Sequence, residues 1–288
     1  MAGGHEKLTI FDVQAKVAAG EKVFQVTAVD VATARLVDRA GIDFILIGDS
    51  LGITALGYAS TVPVTMDELV HHAKAIARGA KRAILVGDLP LGAYHARTGD
   101  AVDNAMRMVK EGGADVVKLE GGEDVVAMVE AVVRAGIPVM GHIGLTPQLL
   151  SKLGGFRAQG QTAAAGARLV RDAVALERAG CFAIVLEAIP DRVAAVITGR
   201  LEIPTIGVGA GPHCDGQNLL LHDLVGLAEP FLPRFGKRYA NVGDEIDRAL
   251  RAFQADVRDG GFPAPEHCVE MEDSEYEAFL AEVSERVA

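Results

Sequence analysis

Short runs of consecutive apolar residues recur along the chain, and four of them close on an acid. Phe44-Ile45-Leu46-Ile47 runs into Gly48-Asp49-Ser50-Leu51-Gly52. The form returns at Ala83-Ile84-Leu85-Val86-Gly87-Asp88, at Val116-Val117-Lys118-Leu119-Glu120-Gly121-Gly122 and at Ala183-Ile184-Val185-Leu186-Glu187. Runs without polar alternation read as strands buried on both faces, as in a parallel sheet under helices. A glycine stands just before each strand: Gly41, Gly79, Gly112-Gly113, Gly136 and Gly180. Glycine past a helix end adopts the left-handed conformation cheaply and lets the chain turn back. Upstream segments carry helical spacing, as Val125, Met128, Val129, Val132 and Val133 do.

Segments 24–27, 138–142, 204–208 and a weaker 219–222 bring the expected strands to about eight. Alternating helices and strands imply a parallel sheet with right-handed crossovers. Eight such units closing on themselves predict an α/β fold, a single-domain (β/α)8 TIM-type barrel with extra helices at both ends. A doubly wound open sheet is the alternative. The expected organisation is a tail over 1–7, a barrel over 8–267 that begins with a short helix at 8–18, and a helical extension over 268–288. From about 242 the pattern changes to acidic helices over 244–256 and 273–287, separated by Gly260-Gly261-Phe262-Pro263 and expected to pack or to make a subunit contact.

Composition narrows the partners. The 288 residues suit one barrel, and half are hydrophobic, enough for a large core. A net charge of −11, with no Lys/Arg cluster, argues against nucleic acid or an anionic membrane. Cys181, Cys214 and Cys268 are scattered and odd in number, which suits a reducing cytoplasm. No apolar signal core is visible, and no run approaches the roughly 18 residues of a membrane span. The expectation is a soluble cytoplasmic protein.

In a barrel the active site lies at the C-terminal strand ends, where all four acids fall. A buried carboxylate costs several kcal/mol, of order ~3–5, unless it is paired or holds a metal. Asp49 and Asp88 end neighbouring strands and would repel one another unless a cation lay between them. Oxygen donors predict a hard ion, Mg²⁺ or Mn²⁺; a helix cap or a salt bridge is the structural alternative. Lys118 interrupts an apolar strand on the same face as Glu120, either in an internal ion pair or as a ligand for an anionic substrate. His142 is a ligand or a satisfied core histidine. Glu187, held in an apolar mouth, would have a raised pKa suited to taking a proton from carbon. The glycines of Gly207-Val208-Gly209-Ala210-Gly211 are by themselves a weak phosphate signal. These residues alone describe a metal-dependent barrel enzyme acting on a small oxyanion through an enolate.

Taken in order, Gly48–Gly52, Ser60-Thr61-Val62-Pro63-Val64-Thr65, Gly87-Asp88-Leu89-Pro90, Val117–Gly122, Gly141-His142-Ile143-Gly144-Leu145-Thr146-Pro147-Gln148 and Gly207–Gly211 with Asp215-Gly216-Gln217 resemble the ketopantoate hydroxymethyltransferase family over about residues 8–267. The resemblance implies a (β/α)8 barrel, Mg²⁺, and transfer of a one-carbon unit from 5,10-methylenetetrahydrofolate to α-ketoisovalerate in pantothenate biosynthesis. It implies Asp49 and Asp88 as metal ligands and Glu120 near the metal through water. Ser50, Lys118 and His142 would contact the keto acid together with the metal-bound Asp49 and Asp88, and Glu187 would be the base. It also implies a homo-oligomer, often a decamer. Two departures stand out: Val29 where the family commonly carries an aromatic, and about 20 further residues after Cys268. Two other readings compete. One is a keto-acid lyase or mutase resembling the phosphoenolpyruvate mutase and isocitrate lyase group, against which counts the lack of a Cys soon after Glu120. The other is a non-catalytic scaffold with merely ion-paired acids.

Overall fold

The computed structural model describes residues 7–227 and 233–286. The chain divides into a compact unit that ends at Tyr239 and a second that starts at Ala240. This break falls where the sequence pattern changes, ahead of the 267/268 boundary. Residues 1–6 of the expected tail and position 287 of the last expected helix lie outside the described residues.

Eight parallel strands close the first unit into a barrel: β1 (Val23–Thr27), β2 (Phe44–Ile47), β3 (Ile84–Asp88), β4 (Val116–Glu120), β5 (Val139–Gly144), β6 (Ala183–Glu187), β7 (Thr205–Val208) and β8 (Gly216–Leu219). β8 returns to β1 with Asn218 opposite Gln25. The helices are α1 (Ile10–Ala18), α2 (Val31–Arg39), α3 (Leu51–Thr54), α4 (Met66–Gly79), α5 (Thr98–Lys110), α6 (Val126–Arg134), α7 (Leu150–Leu153), α8 (Ala163–Arg178), α9 (Asp191–Thr198) and α10 (Leu221–Val225). Reciprocal side-chain caps start three of them: Thr9 with Asp12, Asp30 with Thr33 and Thr65 with Glu68.

Two local expectations need correction. The weak strand at 219–222 is displaced: β8 ends at Leu219, and 221–225 is helical. Gly79 is not a left-handed turn like Gly180 (φ 99°). It lies inside α4, where an added Cβ would stand 2.6 Å from the carbonyl oxygen of Val31, so it is the point at which α2 and α4 approach closely.

Inward side chains fill the barrel: Phe44, Leu46, Ile84, Val86, Val116, Met140, Val185 and Ile206. Leu8, Ile10, Val13 and Val17 of the α1 segment pack beneath them and close the N-terminal end. There Asp43 is buried but fully compensated, 2.9 Å from Lys16 Nζ, 3.6 Å from Arg82 and accepting from the Phe24 N–H. Outward residues such as Ile45, Leu85, Val117, Val139 and Ile184 form a second core with the helices. Strands covered on both faces explain the unalternated apolar runs.

The second unit contains α11 (Val242–Asp259) and α12 (Asp273–Arg286). Along α11 the exposed Ile246, Leu250, Phe253 and Val257 recur at helical spacing. Among the described residues, no helix is long and apolar enough to cross a membrane. The three cysteines are unpaired.

Candidate active site

Val86, Val116, Met140 and Val185 point into the barrel, so the residues two further on share that face: Asp88, Lys118, His142 and Glu187, with Glu120 beyond Lys118. The register sets Asp88 beside Lys118, Glu120 beside His142 and Glu187 beside Gly144. One end of the barrel is thereby lined with charge.

The contacts are close. Lys118 Nζ lies 2.6 Å from Asp88 Oδ1, 3.2 Å from His142 Nδ1 and 4.0 Å from Glu120 Oε1. His142 Nδ1 is 3.3 Å from Glu120 Oε1, and its Nε2 is 3.1 Å from Glu187 Oε2. The Asp49 N–H donates to Asp88 Oδ2 at 3.0 Å, which binds the end of β2 to the end of β3. Gly48 lets this happen: a Cβ there would stand 2.9 Å from Ser50 Oγ and 3.4 Å from Asp88 Oδ2. Ser50 opens α3 without capping it, so its half-buried hydroxyl is spared from a structural task.

Charge is unevenly matched. Asp49, Asp88, Glu120 and Glu187 face two cationic side chains, Lys118 and His142. Burial, then the neighbouring Asp88 and Glu120, push the Asp49 carboxyl well above its usual range. Burial also raises Asp88, against the pull of Lys118. Glu120 is lowered: burial opposes this, but His142 and Lys118 outweigh it. Lys118 is raised by Asp88, Glu120 and Asp49 despite burial. His142, which burial and Lys118 would lower, is held up to about 9 by Glu120 and Glu187. The two carboxylates on its ring favour the imidazolium over the neutral form. Glu187 is not in an apolar mouth as expected, because this ring stands against its carboxylate.

Among the described residues, no three acidic, His or Cys side chains form a ready-made metal cage, and the Lys118 ammonium occupies the space against Asp88 Oδ1. The donor set nonetheless fits a hard divalent ion. It is all carboxylate oxygen, with an excess of negative charge at Asp49, and Mg²⁺ is commonly held by one or two carboxylates with substrate and water completing its shell.

Two residues given no role in the sequence belong to the cluster. Tyr94 and Gln148 are buried beside Asp49 and Glu120 and bonded to both chain segments. Gln148 stands in one of the motifs above, which was its only signal; Tyr94 has none. Ala188, directly after Glu187, has φ 47°, a strained left-handed conformation for a residue with a side chain. Its N–H donates to Val208 O and its carbonyl accepts from the Gln159 N–H, which holds the turn behind Glu187. Val29 is buried, its carbonyl oxygen 2.6 Å from His72 Nδ1. Gly207–Gly211 forms the end of β7 and part of a short return to β8, with Gly209 packed under Phe235 and Gln217 donating to Gly211 O.

The profile of the ketopantoate hydroxymethyltransferase family matches residues 7–265. A 3-methyl-2-oxobutanoate hydroxymethyltransferase from Moorella thermoacetica is 54% identical over 261 residues, covering 91% of this chain and 97% of the relative. One from Nitratidesulfovibrio vulgaris (strain DP4) is 47% identical over 283 residues, covering 98% of this chain and 92% of the relative. Among solved structures, phosphonopyruvate hydrolase with oxalate and Mg²⁺ superposes with a TM-score of 0.58 at 15% identity, covering 96% of each chain. A 2,3-dimethylmalate lyase superposes at 0.55 and 16% identity, covering 90% of this chain and 92% of that one. The solved neighbours share the fold, and the sequence relatives match nearly the whole chain at 47–54% identity.

Proposed function

This chain belongs to the ketopantoate hydroxymethyltransferase family, and on that premise we propose that its acidic barrel mouth enolises α-ketoisovalerate and directs the enolate onto the methylene carbon of 5,10-methylenetetrahydrofolate. The enzyme is a hydroxymethyltransferase, and the proposed product, ketopantoate, would feed pantothenate biosynthesis. The observation that carries the proposed mechanism is the unbroken run of contacts from Asp88 through Lys118, Glu120 and His142 to Glu187.

Lys118 and Ser50 bind the substrate's carboxylate and keto group, and His142 orients them with Glu187. The Glu187 carboxylate takes the C3 proton while its contact with the His142 imidazolium fixes its direction. Asp49 and Asp88, with Glu120 beside them, would hold Mg²⁺. When bound, the ion polarises the keto oxygen and stabilises the enolate's negative charge. C3 exchanges its hydrogen for a carbon–carbon bond to the methylene unit, water supplies the hydroxyl oxygen, and tetrahydrofolate departs.

The exposed stripe of α11 supports assembly as a homo-oligomer, and the unpaired cysteines support a cytoplasmic setting. The direct test supplies α-ketoisovalerate, methylenetetrahydrofolate and Mg²⁺ to the purified protein. Ketopantoate is the expected product. Keto-acid cleavage without folate consumption would instead favour the lyases that share the fold.

A further inference from the structure

We propose that Gln148 is a positioning residue that aims the carboxylates of Asp49 and Glu120, an inference that rests on the metal role given to those acids above. Gln148 lies in the short turn Pro147–Leu149 that follows β5, yet it reaches the ends of three other strands. Its Nε2 donates to Asp49 Oδ2 at 2.9 Å and to the Leu89 carbonyl at 2.9 Å. Its Oε1 lies 2.8 Å from the Tyr94 hydroxyl, and its backbone N–H donates to Glu120 Oε2 at 3.1 Å. One residue thus grips one acid through its side chain and the other through its main chain.

The partners fix the orientation of the amide. Two acceptors face the nitrogen and a hydroxyl faces the oxygen, so a flipped amide would set oxygen against the Asp49 carboxylate and the Leu89 carbonyl. Tyr94 adds a second lock. Its hydroxyl accepts from the Glu120 N–H at 3.0 Å, and its one proton faces two acceptors, Gln148 Oε1 at 2.8 Å and the Glu120 carbonyl at 3.1 Å, the shorter contact being to Gln148. The chain of bonds therefore runs from the Glu120 main chain through Tyr94 and Gln148 to Asp49. Both linking side chains are buried, and every polar group of the amide is used, so rotation would leave buried groups unpaired.

The consequence for Asp49 is specific. Its Oδ2 is held by Gln148, while among the described residues no group bonds Oδ1. The carboxylate is presented with one oxygen anchored and the other available to a cation. Outer partners of this kind typically change metal affinity about 10–100-fold when removed.

The test compares the wild type with Gln148→Leu, which keeps the bulk and removes the amide, and Tyr94→Phe, which keeps the amide and removes its lock. Mg²⁺ binding is titrated calorimetrically without keto acid, thermal midpoints are recorded, and kcat is separated from KM. Gln148→Leu is expected to weaken Mg²⁺ about 10–100-fold, and Tyr94→Phe to weaken it in the same direction by less. At saturating Mg²⁺, kcat should fall with little change in the KM for keto acid. Lowered midpoints with unchanged Mg²⁺ affinity would show a purely structural residue and overturn the proposal. Should Gln148→Leu not fold, Tyr94→Phe decides alone, because the amide and the main-chain grip on Glu120 remain in it. Failure of the wild type to bind Mg²⁺ would overturn the metal role itself, and this inference with it.

Discussion

Glu187 Oε2 and His142 Nε2 stand 3.1 Å apart across the seam between β5 and β6, and the same imidazole reaches Glu120 through its other nitrogen at 3.3 Å. The ring is a bridge between the proposed base and the acids that would hold the metal. Two carboxylates on one imidazole explain why His142 keeps its proton to about 9 despite burial and the adjacent Lys118.

Stability of the metal-free protein should therefore carry the signature of His142. Its pKa is raised on folding, from 6.5 to about 9. The stabilisation is complete below about 6.5 and is lost as pH rises through about 9. Thermal midpoints across this range should fall for the wild type and fall less for His142→Gln. Parallel curves would remove His142 as the titrating group.

Asp49 should set stability against function. Its carboxyl is pushed up by burial and by two neighbouring acids, so the ionised form is a burden until a cation arrives. Asp49→Asn keeps an acceptor for Gln148 and removes the charge. The metal-free variant should melt a few degrees higher, since about 1 kcal/mol moves the midpoint by roughly 2–4 °C at this size. Mg²⁺ should stabilise the wild type, by about 2.7 kcal/mol at a hundred times Kd, and leave Asp49→Asn unmoved. Equal Mg²⁺ stabilisation of both would refute Asp49 as a ligand.

Lys118 should matter in both respects at once. Its ammonium is 2.6 Å from Asp88 and within 4.0 Å of Glu120, all three buried. Lys118→Met leaves uncompensated charge and should cost about 3–5 kcal/mol in the metal-free protein. The KM for keto acid should rise as well. Destabilisation with an unchanged KM would leave Lys118 a purely structural ion-pair partner.

The barrel was legible because parallel strands buried on both faces write themselves as unbroken apolar runs, and a charged side chain in such a run is costly enough to be noticed. Lys118, Glu120 and Glu187 stood out for that reason. β8 did not: Gly216-Gln217-Asn218-Leu219 sets two polar residues side by side, Asn218 buried and Gln217 exposed, so the apolar Leu219–Leu221 segment drew the expectation to the wrong place. Tyr94 and Gln148 come from turns, where no periodicity marks a residue, and their roles exist only through contacts between distant segments. The environment of Glu187 was misread for a related reason. Its own strand is apolar, and the ring that faces it belongs to the strand next door.

The central claim is that Glu187 removes the C3 proton of α-ketoisovalerate at a site that depends on Mg²⁺. Proton NMR of the keto acid in D₂O, without folate, reads that step alone. The wild type should lose the C3–H signal only when Mg²⁺ is present, and Glu187→Gln should lose it at least about a hundredfold more slowly, in line with the usual contribution of a general base, while still binding Mg²⁺. Exchange by Glu187→Gln at the wild-type rate, or no exchange by a folded, Mg²⁺-loaded wild type, would contradict the account.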